Sequence, residues 1–416
     1  MRHRLAFAAL FIAIALVWMP ACPAAEADAI HVGAASATIN PKEGTFLAGY
    51  QHNRRSTGVH DDLHAKAVVF WDGTTAVGLV VLDSISVQYD TTNAIRDKAA
   101  QAVTKIPLPP ERVLVQAIHT HCAPDTIGIY GADVMHTGRD PAYMAMLIET
   151  AAQQVVRAVD ALGPARIAWA ETECTGWAVN DSEPGVVDHS VTILQCLDPQ
   201  GKSIATLTNF ACHPTVLDGD TTLTGADWVG AFYKGMAGVP GEHLFLQGAV
   251  GGWIQPKTPE RTFALAEQYG TDLAQKTVAA LKNTKPLEGA KVRFANRRFQ
   301  MPVPNPVFQM MAGQGLIPRA IGQTAETEVA WFSVGSAQFA THPAETAPAF
   351  SWKTEELMDS APKFVLGLGL DHLGYIIKPE YFDRTDDIPH ASYLTSMSPG
   401  REAGSAMMAA LDAIIP

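Results

Sequence analysis

Val113-Leu-Val-Gln-Ala-Ile-His119-Thr-His121-Cys-Ala-Pro124 is the most telling stretch of this chain. Its first half is apolar and rich in Val and Ile, as a strand buried inside an α/β sheet would be. Its second half turns abruptly to His, Cys and Pro. A strand that ends in such residues delivers them to a sheet edge, where sites in α/β proteins form. Residues i and i+2 of an extended chain point to one face, so the spacing predicts that His119 and His121 approach one centre together. Imidazole is a favoured zinc ligand, and zinc accepts His with carboxylate and one open position. Two histidines at this spacing also arise by chance, so their weight depends on what surrounds them.

Three other strand-like runs end the same way. Ile204 to Ala211 leads through Cys212 to His213-Pro214-Thr215, where Pro214 stops the ladder. Val329 to Phe339 leads to His342-Pro-Ala-Glu345, and Glu345 offers a carboxylate. Phe364 to Leu368 leads to Asp371, His372 and Tyr375, and its glycines suggest close backbone packing. Each has a plainer reading: a capped core histidine for His213, a first helical turn for Glu345, a half-buried aromatic for Tyr375.

The rest of the chain fits a mixed α/β protein with large sheets and helices outside them. Further strand-like runs are Ala67–Trp71, Ala76–Leu82, Arg112–Ile118, Arg166–Ala170, Val191–Cys196, His243–Leu246 and Val292–Phe299. Apolar i, i+3, i+4 spacing predicts helices over Thr92–Thr104, Ala142–Leu162 and Arg261–Asn283, with Gly163-Pro164 closing the second. No repeat or long linker divides the chain; residues 283–289 form the one candidate boundary. There is no G-x-S-x-G, H-E-x-x-H, P-loop or G-x-G-x-x-G.

The 416 residues carry a formal charge of −12, which argues against a nucleic-acid partner. Arg2 and Arg4, the apolar run Leu5–Trp18 and the small-x-small steps Ala25-Glu26-Ala27 and Ala27-Asp28-Ala29 read as a signal peptide over residues 1–29. The expected location is therefore exported, periplasmic or secreted. A membrane anchor, or a lipoprotein acylated at Cys22, is the alternative. Cys122, Cys174, Cys196 and Cys212 remain in the mature chain. Cys174 and Cys196 lie in neighbouring strands and could pair, while Cys122 and Cys212 read as small buried hydrophobes beside candidate ligands.

Taken in order, these segments resemble the neutral, non-lysosomal ceramidases and their bacterial relatives. The resemblance runs from Val32-Gly-Ala-Ala-Ser-Ala-Thr-Ile-Asn-Pro41 and Leu47-Ala-Gly-Tyr50 through Gly58-Val-His60-Asp-Asp-Leu63. It continues with His119-Thr-His121, Asn209-Phe-Ala-Cys-His213-Pro-Thr215, Pro343-Ala-Glu345 and Gly374-Tyr375-Ile376. It implies two mixed β-sheets flanked by helices in α/β/β/α layers, as a single large domain over residues 30–416. It implies one zinc (Zn2+) held by His119, His213, Glu345 and Tyr375, with His121 facing the substrate and His60 and His372 as substrate contacts. The implied reaction is hydrolysis of an amide between a fatty acid and an amino alcohol, so the expected partner is a small-molecule or lipid substrate, met through peripheral membrane contact. Oligomeric state is left open.

The sequence departs from the family at three points. The family's catalytic Ser-Pro has no counterpart in Leu246-Gln-Gly-Ala-Val-Gly-Gly-Trp-Ile-Gln255-Pro256, which leaves Gln255 to compensate. A substrate-contacting Arg has no match near Asn180-Asp181. The family's C-terminal immunoglobulin-like domain is not expected here. The departures keep open a zinc esterase or lactonase on a small acyl substrate, and a non-catalytic relative that binds a lipid or glycan.

Overall fold

Residues 30–416 are described by a computed structural model; the leader read at residues 1–29, with Cys22, lies outside the described residues. The large sheet contains eight main strands: β1 (Ile30–Thr38), β2 (His64–Trp71), β3 (Ala76–Leu82), β4 (Val113–Ala117), β5 (Gly163–Glu173), β6 (Ser190–Leu197), β7 (Ser203–Phe210) and β8 (Glu242–Gln247). Their spatial order is β8-β7-β6-β5-β1-β2-β3-β4. A smaller sheet follows in the order β9 (Val292–Pro302), β10 (Thr324–Val334), β11 (Ala337–Thr341) and β12 (Lys363–Leu366). Most neighbours are antiparallel, but β3/β4, β7/β8 and β11/β12 are parallel. Parallel neighbours need a crossover. Helices α1 (Tyr89–Ala102), α3 (Trp228–Gly235) and α5 (Pro348–Leu357) lie within these three connections.

Both faces of the central strands are buried, which is why they read as nearly unbroken apolar runs. On β2, Ala67 and Val69 face α1 and α2 (Pro141–Asp160), while Val68 and Phe70 face the smaller sheet. There Phe70 meets Phe332, and Phe332, Phe339 and Phe364 stack in sequence with centroids 4.3 Å apart. The far side of the smaller sheet, with Val329, Trp331 and Ala340, is covered by residues of α5 and α6 (Ala403–Asp412). Helix, sheet, sheet and helix thus form four layers in one domain, as the family resemblance implied. Among the described residues no helix is long and apolar enough to cross a membrane.

Three expectations are corrected. The run Val329–Phe339 is a hairpin and not one strand: Gly335, at φ +53, turns the chain, and Val334 pairs with Ala337. Both arms are apolar, so no change of pattern marks the turn. Cys174 and Cys196 do not pair; all four described cysteines are free and buried. Their strands are neighbours, but the register sets Ile167 against Cys196 and Glu173 against Ser190. Seven residues of strand, roughly 20 Å, therefore separate the two thiols. The Gly163-Pro164 step does follow α2 and also opens β5. Residues 283–289 form no boundary: Lys285 and Pro286 pair with β5 and carry the chain from one sheet to the other.

Candidate active site

Strands β4 and β8 are opposite edges of the large sheet, yet the sheet curls until they meet across residues 366–370. Gly367 N donates to Gln247 O, and Leu370 N donates to Val115 O. Two buried glutamines complete the closure. Gln116 Nε2 donates to the carbonyls of Gln247 (2.7 Å) and Gly367 (2.9 Å). Gln247 Nε2 donates to Ile118 O (2.8 Å) and Cys212 O (2.9 Å), the residues immediately before His119 and His213. Gly367 permits the approach, because a Cβ there would sit 2.1 Å from Gly248 O. Curling brings the ends of β4 and β7, distant in strand order, to one centre.

The His-Thr-His motif converges by a different route from the one its spacing predicts. Strand β4 ends at Ala117, and His119 adopts a left-handed backbone at φ +71. The pair is therefore not an extended i, i+2 pair, although His119 Nε2 and His121 Nε2 are 3.4 Å apart. A non-glycine residue held there costs on the order of 1 kcal/mol or more, which the surroundings must offset. His119 N donates to Ser84 O, Thr120 Oγ1 donates to Gly225 O, and buried Arg54 donates to the carbonyls of Ala48 and His121.

Each of the first two ligand candidates has one ring nitrogen fixed by the backbone. His119 Nδ1 lies 2.6 Å from Ile85 O, and His213 Nδ1 lies 2.7 Å from Ile254 O. A carbonyl only accepts, so both Nδ1 atoms carry the proton and both Nε2 atoms present lone pairs. Those lone pairs face one carboxylate oxygen: Glu345 Oε2 is 3.0 Å from His213 Nε2 and 3.3 Å from His119 Nε2. Glu345 Oε1 is 3.3 Å from His372 Nε2. Acceptors that face acceptors are stable only around a shared cation or proton. Imidazole nitrogens oriented by backbone carbonyls, with one carboxylate, suit a divalent metal.

Geometry also divides the histidines. The nearest nitrogens belong to His119, His121 and His213, whose ligand atoms lie within 4.8 Å of one another. Proximity alone would make His121 a third ligand. Its buried Nδ1, however, has no hydrogen-bond partner among the described residues to fix the tautomer. Burial depresses its pKa well below the ordinary value.

Residues 29–247 match the family described as neutral/alkaline non-lysosomal ceramidase, N-terminal. The chain belongs to this ceramidase family. Its fold is similar to neutral ceramidase from Pseudomonas aeruginosa, at a TM-score of 0.76 and 15% identity, covering 93% of this chain and 74% of that one. A ceramidase complexed with C2 is similarly matched, at a TM-score of 0.75 and 14% identity over 92% of this chain and 74% of that one. No curated protein matches the sequence significantly.

This ceramidase-family site opens into a cavity of about 370 Å³ that places most of the sequence candidates together: His119, His121, His213, Gln255, Glu345, His372 and Tyr375. Short parallel pairing sets Glu345 directly beside Tyr375. The Tyr375 hydroxyl accepts from Trp253 Nε1 at 3.3 Å, and burial followed by the Glu345 charge keeps the phenol neutral. Gln255 pairs with Val179, and its amide donates to Asp181. His60 is not brought in. It stacks on Phe263 (3.9 Å), bonds Asp61 (2.8 Å), and lines a separate depression. The neighbour of His372, Asp371, is structural: it accepts from Arg319, Thr327 and Tyr89 N.

Sequence reasoning missed the remaining wall. Trp253, His390 and Tyr393 line the cavity, and Trp253 and His390 both have left-handed backbones, at φ +59 and φ +63. Arg261 also lines it, from the turn before α4 (Phe263–Ala280). The sequence placed Arg261 in a helix, where it carried no functional signal. Cys122 and Cys212 are buried thiols whose pKa values burial pushes well up, consistent with inert packing.

Proposed function

We propose that this ceramidase-family chain is an exported, zinc-dependent amidohydrolase that cleaves the amide bond of an N-acyl, ceramide-like substrate. The observation that carries the reading is the pair of imidazoles whose Nδ1–H groups are spent on Ile85 and Ile254 while their Nε2 atoms meet on Glu345. His119, His213, Glu345 and Tyr375 are the proposed ligands. Bound zinc would supply Lewis acidity there, lowering the pKa of a water and polarising the acyl carbonyl.

Hydrolysis adds the water oxygen to the acyl carbon, breaks the C–N bond, and leaves a carboxylate and an amine. His121 stands beside His119 and is unconstrained at Nδ1; it takes the water's proton and returns it to the departing nitrogen. Gln255, with its NH2 group held by Asp181, keeps its carbonyl oxygen as an acceptor for a substrate N–H. Export rests on the N-terminal leader.

The test is an assay of the purified chain on N-octanoyl amides and short-chain ceramide. Zinc-dependent release of fatty acid, abolished by a chelator and restored by zinc, is expected. Cleavage that ignores the chelator, or cleavage of esters alone, overturns the reading.

A further inference from the structure

The cavity is lined by two unlike sets of residues. In one, Trp253 packs against His390 with centroids 4.0 Å apart, and Tyr393 lies 5.6 Å from Trp253. Trp253 and His390 both have left-handed backbones. Two strained residues in mutual contact on a cavity wall mark a surface shaped for a ligand. The other set is Thr215, Gln255 and Arg261. The histidine cluster shares the cavity with both sets.

Arg261 is the unabsorbed feature. Among the described residues its guanidinium makes one hydrogen bond, from Nη1 to Thr215 O at 3.2 Å. Its nearest carboxylate, Asp218, is 3.8 Å from Nε, too far for a hydrogen bond, and the Arg261 side chain is 39% exposed. A guanidinium carries five N–H groups in a planar fork that matches a carboxylate with two parallel bonds. Most of that capacity is unspent among the described residues. The neighbouring acids limit the charge it can attract: Asp181 and Glu345 line the same cavity, so a singly charged anion is favoured over a dianion. A volume of about 370 Å³ also lies at the small end of small-molecule pockets.

We propose that the preferred substrate is a short N-acyl amino acid, with its carboxylate on Arg261 and its acyl chain against Trp253, His390 and Tyr393. This assignment rests on the reading of the cavity as an amide-hydrolysing site. It makes Arg261 a specificity-determining residue and explains why a basic group faces the cavity beside Thr215.

The experiment is calorimetric titration of the zinc-loaded chain with N-octanesulfonyl-glycine and N-octanesulfonyl-ethanolamine, sulfonamides that resist hydrolysis. The glycine probe should bind about tenfold more tightly or better. In Arg261→Gln the two affinities should converge while that of the neutral probe is unchanged, and Arg261→Lys should keep part of the difference. Equal affinities in the natural chain, a preference that survives Arg261→Gln, or binding of neither probe overturns the proposal. If the glycine preference holds but N-octanoyl-glycine is never cleaved, hydrolysis is the part that fails and the ligand class stands.

Discussion

His213 directs both its backbone N–H (2.9 Å) and its ring Nδ1 (2.7 Å) at one acceptor, the carbonyl of Ile254. This double attachment fixes the ring relative to its own main chain and leaves Nε2 with a single direction, toward Glu345. His119 is held comparably by Ile85, whereas His121 is not held at Nδ1. The difference predicts unequal roles. His119→Ala and His213→Ala should each lose stoichiometric zinc on dialysis. His121→Ala should retain zinc and lose at least about 100-fold in kcat, the scale of a general acid–base contribution. Metal content and kcat of the three purified variants check this, and zinc loss in His121→Ala would make that ring a ligand.

Gln247 acts one step further out, since its amide bonds the carbonyls of Ile118 and Cys212 directly before the two histidines. Gln247→Leu should weaken zinc binding by about 10–100-fold, as expected for the loss of a group that orients ligands. It should also destabilise the fold by about 1–3 kcal/mol through unsatisfied carbonyls. A competitive chelator titration reads the first effect and urea unfolding the second. Unchanged zinc affinity would show that the strand ends are positioned without it.

A buried ion pair ties α1 to the second sheet. Arg96 reaches Glu328 through two bonds of 2.9 and 3.0 Å, and Glu328 also accepts from Tyr89 Oη and Asn296. Arg96→Met leaves that carboxylate without its main partner and should cost about 3–5 kcal/mol. Adding Glu328→Gln should recover much of the loss. The two unfolding midpoints test this, and additive losses would contradict it.

His342 is buried, with Nδ1 2.8 Å from Thr346 Oγ1 and Nε2 2.9 Å from Thr354 Oγ1. Burial pushes its pKa down from 6.5 to about 3. Above pH 6.5 the ring is neutral in both folded and unfolded chains and adds no pH dependence. Between about 6.5 and 3 the unfolded chain takes a proton that the fold refuses, so stability falls as pH falls, by up to ~1.4 kcal/mol per pH unit. Urea unfolding of the natural chain from pH 7 to 4 should therefore show a steeper decline than His342→Asn. Parallel declines would remove His342 from the acid response.

Much of the fold was legible because strands buried on both faces leave long apolar runs, and Ala76–Leu82 has the predicted ends. Strand β1 was not read as a strand, because Gly33, Ala34, Ala35 and Ala37 give little apolar alternation. Small size there suits close packing: a Cβ on Gly33 would sit 2.0 Å from Ala158 O of α2. At the site, polar residues after apolar strands located His119, His213, Glu345, His372 and Tyr375. Their convergence was not legible, since it depends on the curl of the sheet and on Gln116 and Gln247, which look like ordinary polar interruptions. Arg261 and His390 were missed for the same reason: only tertiary placement turns them toward the cavity.

The most direct test of the metal-site claim is anomalous scattering at the zinc edge from crystals of the purified chain. The account predicts one peak bounded by His119 Nε2, His213 Nε2 and the Glu345 carboxylate. A zinc-loaded crystal with no peak there, or with its peak elsewhere, would contradict it.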